Sequence, residues 1–168
     1  MNNFFLTLGF SGYFPKIQAI MGAFVSLIIS LIILINFNET TLFLATLLIS
    51  IISIRAINKY EKSGGKHHAK HIVIDKFTGI GFALSVAPAF TIAIDDISNL
   101  SNGFLIQALL SFAFFIYFDK EKYSMIGRVS REAKGGIAVV GDDILAGFTA
   151  GIVSSLLWQA YLQAQLSF

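Results

Sequence analysis

The sequence contains no cysteine and few charged residues, and both shortages restrict its function. Without cysteine the chain has no disulfides, no thiolate metal ligands and no cysteine nucleophile. Charged residues make up 13% of its 168 positions, and a net charge of +2 is too small to indicate a nucleic-acid partner. A water-soluble domain of this length needs more polar surface, so much of the exterior is expected to face lipid.

Apolar residues are abundant instead. They make up 55% of the chain, against about 45–50% in soluble domains, and the mean hydropathy is +0.75. The length corresponds to one domain, 1–168. Five apolar segments can be distinguished: 17–37, 42–57, 77–94, 104–118 and 144–162. They predict an all-α, integral membrane bundle of about five helices, with the third kinked at Pro88 and the short second and fourth not certain to span fully.

The positive charges are confined to one predicted side of the membrane. All 12 Lys and Arg residues lie before the first segment, around the connection between the second and third, or between the fourth and fifth. The other two connections, 38–41 and 95–103, contain acids and no cation. The positive-inside rule therefore predicts that the N-terminus and the two basic loops face the cytoplasm, in a multi-pass protein of the inner membrane.

With this topology, four aspartates are expected at the same cytoplasmic boundary. Asp75 precedes the third segment, Asp119 follows the fourth, and Asp142 and Asp143 open the fifth. Clustered carboxylates suit Mg²⁺, which polarises phosphoryl oxygens and activates water. Nearby basic residues are candidates to bind an anionic headgroup: Lys122, Arg128, Arg131 and Lys134.

Structural roles for the same acids remain open at this point. Aspartate is a common N-cap that stabilises a helix by about 0.5–2 kcal/mol, so Asp75 and the pair Asp142-Asp143 could be caps. Asp119 is harder to explain in this way, because a negative charge at a helix C-terminus opposes the macrodipole.

Histidines and glycines give weaker signals. Three histidines have the spacing of a helical turn, but no cysteine or acid completes a zinc set, so a basic loop near lipid headgroups is favoured. They are His67, His68 and His71. Gly135-Gly136 would let backbone approach a phosphate. Gly147 and Gly151 are spaced as in close helix–helix contacts.

Several motifs together resemble the phosphatidylglycerophosphatase A family over about residues 10–157. The strongest is Gly135-Gly-Ile-Ala-Val-Val-Gly-Asp-Asp-Ile-Leu-Ala-Gly147, similar to the family's paired glycines followed by Asp-Asp-x-x-Ala-Gly. The stretch His71-Ile-Val-Ile-Asp-Lys-Phe-Thr-Gly79 is similar to Ile-Val-x-Asp-Glu-x-x-Gly. Phe115-Ile-Tyr-Phe-Asp-Lys-Glu-Lys122 is similar to Phe-Arg-x-x-Asp-x-x-Lys.

The resemblance implies a Mg²⁺-dependent lipid phosphatase that converts phosphatidylglycerophosphate into phosphatidylglycerol at the cytoplasmic face. It implies that Asp75, Asp142 and Asp143 bind the metal, that these three and Asp119 take part in catalysis, and that Lys122 lies near the phosphate. The implied partners are an anionic phospholipid and the membrane. The oligomeric state is not indicated.

Two departures from the family pattern keep alternatives open. Lys76 stands where the family has Glu, and Ile116 stands where it has Arg. If Lys76 points into the acid cluster, it competes with the metal; if it extends towards the headgroups, it does not. A catalytically inactive lipid-binding or regulatory relative is therefore one alternative. A small transporter or scaffold is another, disfavoured because no ionisable residue lies in the middle of a segment.

Overall fold

The computed structural model describes residues 3–15, 17–66, 69–87, 103–121 and 133–166, and within them the chain is helical with no strand. The all-α prediction is therefore confirmed. The described α-helices are α1 (Asn3–Leu6), α2 (Gln18–Asn36), α3 (Glu39–Lys62), α4 (Ile74–Val86), α5 (Phe104–Glu121) and α6 (Gly136–Leu166), with a 3-10 turn at Ser11–Tyr13.

Three of these helices are long and apolar enough to cross a membrane: α2, α3 and residues 136–165 of α6. The bounds of α2 agree closely with the predicted segment, whereas α3 extends beyond 42–57 at both ends. Its start is fixed by Asn38, whose Oδ1 accepts a hydrogen bond from the Thr41 N–H at 2.7 Å. Lys59 and Lys62 in the last turn complement the helix dipole.

The third and fourth predicted segments are α4 and α5. Of the third, α4 covers only its first part, and residues 88–94 with the predicted kink at Pro88 lie outside the described residues. Helix α5 continues three residues beyond the predicted 104–118. Among the described residues, three of the five predicted segments are helices long enough to span, and the short second segment (α3) is one of them. Helix α4 as described has 13 residues.

Helix α4 forms the centre of the bundle. Every residue from Ile74 to Leu84 is buried, and the helix packs against α2, α3, α5 and α6. Glycine allows the closest approach, because a Cβ at Gly147 of α6 would meet the backbone of Gly79 of α4. A Cβ at Gly151 would meet the Ala83 carbonyl oxygen at 2.6 Å. The expected small-residue contact is thus between α6 and α4.

The outer surface of the long helices is apolar and their inner surface is partly polar. Phe24, Ile28 and Ile32 of α2 are exposed, and Leu44 and Leu48 of α3 are exposed as well. Inside the bundle, several buried hydroxyl side chains bond to their own helix, as Ser26 Oγ does to the Gly22 carbonyl at 2.6 Å. Exposed apolar faces over buried hydroxyls are the arrangement expected of helices surrounded by lipid.

Candidate functional site

Three helix ends bring the predicted aspartates together at one end of the bundle. Asp75 is the second residue of α4, Asp119 lies two residues before the end of α5, and Asp142 and Asp143 lie near the start of α6. Asp75, Asp142 and Asp143 are buried, and the side chain of Asp119 is 16% exposed. The sequence-based expectation that these four residues share one depth agrees with this arrangement.

Lys76 points into this cluster. Its Nζ donates to Asp143 Oδ2 at 2.9 Å and Oδ1 at 3.0 Å, and to Asp119 Oδ1 at 3.0 Å. Asp75 Oδ2 lies 3.7 Å from the same nitrogen. The interpretation in which Lys76 extends towards the lipid headgroups is therefore wrong, because three carboxylates on three helices surround its ammonium group.

The burial of Lys76 distinguishes it from the other described cations. Its side chain is 10% exposed, and the Phe115 ring lies beside the ammonium, with its centroid 6.0 Å from Nζ. All other described lysines and arginines are exposed: Arg55, Lys59, Lys62, Lys66, Lys70, Lys120 and Lys134. A buried ammonium needs charged partners to offset its lost hydration, and the carboxylates supply them.

Asp75 and Asp142 have matching local geometry. Asp75 Oδ1 accepts the N–H of Lys76 at 3.1 Å, and Asp142 Oδ1 accepts the N–H of Asp143 at 3.0 Å. Thr78 Oγ1 donates to the Asp75 carbonyl oxygen at 2.7 Å. Each carboxylate is thus held against its own helix while the next residue points to the centre of the cluster.

The expectation that Asp142 and Asp143 open the last helix is wrong. Helix α6 begins at Gly136, so both residues lie well beyond its first turn and cannot be N-caps. The first turn is fixed from α3, where Asn58 Oδ1 accepts the Gly136 N–H at 2.7 Å. The Gly135-Gly136 pair therefore packs against α3, since a Cβ at Gly136 would meet the Ile54 backbone. Asp75 is not an N-cap either, because that position is Val73.

Burial and the neighbouring charges determine the protonation of Asp75 and Lys76, which precede the apolar segment of α4. Burial raises the pKa of the Asp75 carboxyl to about 6, and the adjacent Lys76 ammonium opposes this rise. Burial alone would lower the pKa of Lys76, but the carboxylates of Asp143, Asp75 and Asp119 hold it well above its usual value. The three carboxylates therefore favour the charged form of Lys76.

A cleft of about 400 Å³ leads to the cluster from the exterior. Its lining includes the buried Asp75 and Lys76, the exposed Lys70, and Ile17 to Ile20 at the start of α2. Its remaining walls are largely apolar. No sequence motif singles out Lys70, in the loop before α4, or Gln18, the first residue of α2.

The predicted headgroup-binding residues fall mainly outside the described part of the chain. Lys122, Arg128 and Arg131 lie there, and so do His67 and His68. Lys134 is described and is exposed just before α6.

Two further residues of the sequence argument are in the described part. His71 stacks on Tyr13 with ring centroids 5.8 Å apart and meets the edge of Tyr60, so it packs among aromatic rings. Ile116 is half-buried against the apolar core and brings no charge to the cluster.

The aspartates as arranged do not fit the implied magnesium ion. Mg²⁺ requires oxygen ligands at about 2.0–2.1 Å in octahedral geometry. The oxygens of Asp143 and Asp119 converge instead on the Lys76 nitrogen. Among the residues that the structure describes, no three His, Cys, Asp or Glu side chains are arranged to hold a metal ion. Magnesium binding by Asp75, Asp142 and Asp143 stays a prediction from the sequence.

Comparison with known proteins gives one family. The sequence model of phosphatidylglycerophosphatase A matches residues 4–158, nearly the whole chain. No curated protein and no solved structure shows significant similarity to the chain. The matched region includes all four aspartates and every residue that lines the cleft.

Proposed function

Because the chain belongs to the phosphatidylglycerophosphatase A family, we propose that it removes the terminal phosphate of phosphatidylglycerophosphate at the membrane surface. The match over residues 4–158 carries this proposal, since it covers the cleft and all four aspartates. The products would be phosphatidylglycerol and inorganic phosphate. The basic loops and the exposed lysines beside the cluster support placing the site at the cytoplasmic face of the inner membrane.

The cleft has the charge and the size for a phosphorylated glycerol headgroup. Lys70 and Lys76 both line it. The exposed Lys70 ammonium can donate charge-assisted hydrogen bonds to phosphate oxygens, and the buried Lys76 adds positive charge to the wall. Its volume of about 400 Å³ lies within the usual range of small-molecule sites. The apolar residues Ile17, Ile20 and Ile72 in its wall suit the carbon skeleton of the same ligand.

In the proposed reaction, a water oxygen attacks phosphorus and the phosphorus–oxygen bond to glycerol breaks. The leaving glycerol oxygen gains a proton, and inorganic phosphate carries the new oxygen. The Asp75 carboxylate in the cleft wall would accept the proton of the attacking water. Lys76, lining the same cleft, would offset the negative charge that develops on the phosphoryl oxygens.

One observation favours a second candidate, a lipid-binding relative without turnover. The Lys76 ammonium already has three carboxylate neighbours, and these hold it away from a phosphoryl group. Such a protein would bind the phosphorylated headgroup at the cleft and leave it intact.

Both candidates can be separated by reconstituting the full chain in vesicles that contain phosphatidylglycerophosphate and measuring released phosphate. We expect release from the lipid and much slower release from soluble glycerol phosphate. The matched control is Asp75→Asn, which keeps the side-chain shape and removes the proton acceptor. Vesicle binding without release would establish the second candidate, and release equal in wild type and Asp75→Asn would exclude the proposed role of Asp75.

A further inference from the structure

We propose that the Lys76 ammonium is the resident cation of the aspartate cluster and takes the place of a divalent metal ion. The chain then folds and keeps its carboxylates together without such an ion. This inference does not depend on turnover, because it concerns what neutralises the cluster.

The geometry supports this role because the Lys76 ammonium connects three helices. Its Nζ lies within 3.0 Å of carboxylate oxygens on α5 and α6 and is itself carried by α4. These are contacts that a bound cation would otherwise have to supply. Of the cations in the described ranges, Lys76 is the buried one, and the exposed ones remain in contact with solvent.

The charge balance leads to the same conclusion. Buried carboxylates at such close range repel one another and need compensating positive charge. The substitution Lys76→Glu would lower the side-chain charge by two units, which equals the charge of one divalent cation. A cluster with glutamate at this position therefore needs an added ion to reach the charge that Lys76 gives it.

The ammonium also obstructs a metal ion at the same oxygens. A magnesium ion lies about 2.0–2.1 Å from its ligand oxygens, and Asp143 Oδ2 lies 2.9 Å from Nζ. An ion bound to that oxygen would be within about 5 Å of the lysine charge, in a buried setting where like charges repel strongly. The Asp143 carboxylate can therefore bind either the Lys76 ammonium or a magnesium ion, but not both at close range.

The first test uses the wild-type full chain in detergent, with Mn²⁺ as the probe. Electron paramagnetic resonance measures the concentration of free Mn²⁺, and we expect it to show no stoichiometric binding by the protein. We also expect the same unfolding temperature in excess EDTA and in excess Mg²⁺. Stoichiometric Mn²⁺ binding that Asp143→Asn abolishes would overturn the inference.

The second test removes the lysine charge. Lys76→Met and Lys76→Glu should unfold at lower temperature than wild type in EDTA and should regain stability in Mg²⁺. Both variants should also bind Mn²⁺ at least about tenfold more tightly than wild type, a difference of about 1.4 kcal/mol in binding free energy. Lys62→Met is the matched control, because Lys62 is exposed at the end of α3, and it should behave as wild type.

Two results with the variants would contradict the inference. Wild-type stability of Lys76→Met in EDTA would show that the ammonium does not hold the cluster. Variants that Mg²⁺ fails to stabilise would show that the lysine and a divalent ion are not interchangeable. Loss of phosphate release in any of these proteins would bear only on the proposed function.

Discussion

Lys76 Nζ lies 2.9 Å from Asp143 Oδ2, and this ion pair joins α4 to α6 across 67 positions of sequence. Both side chains are almost fully buried, with 10% and 2% of their surfaces exposed. Two buried charges gain little over an apolar pair of the same size, but removing one of them leaves the other without compensation. The stability of the bundle should therefore respond strongly to either residue alone.

The first prediction follows from this asymmetry. Asp143→Asn keeps the size of the side chain but removes the charge opposite Lys76, so it should lower the free energy of unfolding by about 3 kcal/mol. The double variant Asp143→Asn with Lys76→Met should lose less than the sum of the two single variants. Thermal and denaturant unfolding in detergent measure these differences. Glu121→Gln is the control, because Glu121 is exposed at the end of α5, and strictly additive losses would mean that the pair is not coupled.

A second prediction concerns the closest helix contact. Gly147→Ala places a Cβ against the Gly79 backbone, so α6 must move away from α4 and disturb the Lys76 contacts. We expect a loss of about 1–3 kcal/mol in unfolding free energy, as for other over-packed cores. Ala113→Leu, at an exposed position of α5, is the control for added volume. Equal stability of the two variants would show that the α4–α6 contact tolerates separation.

The position of the site could be predicted from the sequence because the chain crosses from side to side. Segments that alternate in direction place Asp75, Asp119 and the Asp142-Asp143 pair at one end whatever their packing. The helical bounds of α2 followed from its uninterrupted apolar run. These features depend on hydropathy and chain direction, which the sequence shows directly.

Other features depend on contacts that hydropathy does not show. The start of α6 lies in Gly-Ile-Ala-Val-Val-Gly, where glycine and β-branched residues have low helix propensity, and the Asn58 side chain on α3 stabilises it. The orientation of Lys76 was equally open, because a lysine at a helix start can extend to headgroups or turn inwards. Only the packing of α5 and α6 around it decides between the two.

A third prediction tests that contact at the start of α6. Asn58→Ala removes the acceptor of the Gly136 N–H and should cost about 1 kcal/mol of unfolding free energy. Asn58→Asp retains an acceptor oxygen at this position and should lose less. Asn36→Ala is the control, because Asn36 is exposed and donates to the Ile32 carbonyl of its own helix. A loss in Asn36→Ala as large as in Asn58→Ala would refute a specific role for Asn58.

A fourth prediction concerns orientation in the membrane. Reporters fused within 61–70 or 128–134 should read cytoplasmic, because the basic residues are retained on that side. A reporter within 96–102 should read external. Alkaline phosphatase and fluorescent-protein fusions measure the two sides independently. An external result at 61–70 would place the aspartate cluster on the opposite face and contradict the proposed localisation.

The last prediction concerns the cleft and the lipid phosphate. Lys70→Met removes the exposed ammonium from the cleft lining without touching the aspartate cluster. It should raise the KM for phosphatidylglycerophosphate in vesicles about tenfold, or about 1.4 kcal/mol of binding, with little change in kcat. Added salt should reduce the difference, since an exposed charge is screened. Lys62→Met removes an exposed lysine outside the cleft and should leave KM unchanged. An equal rise in KM in both variants would mean that general surface charge, and not the cleft, attracts the lipid.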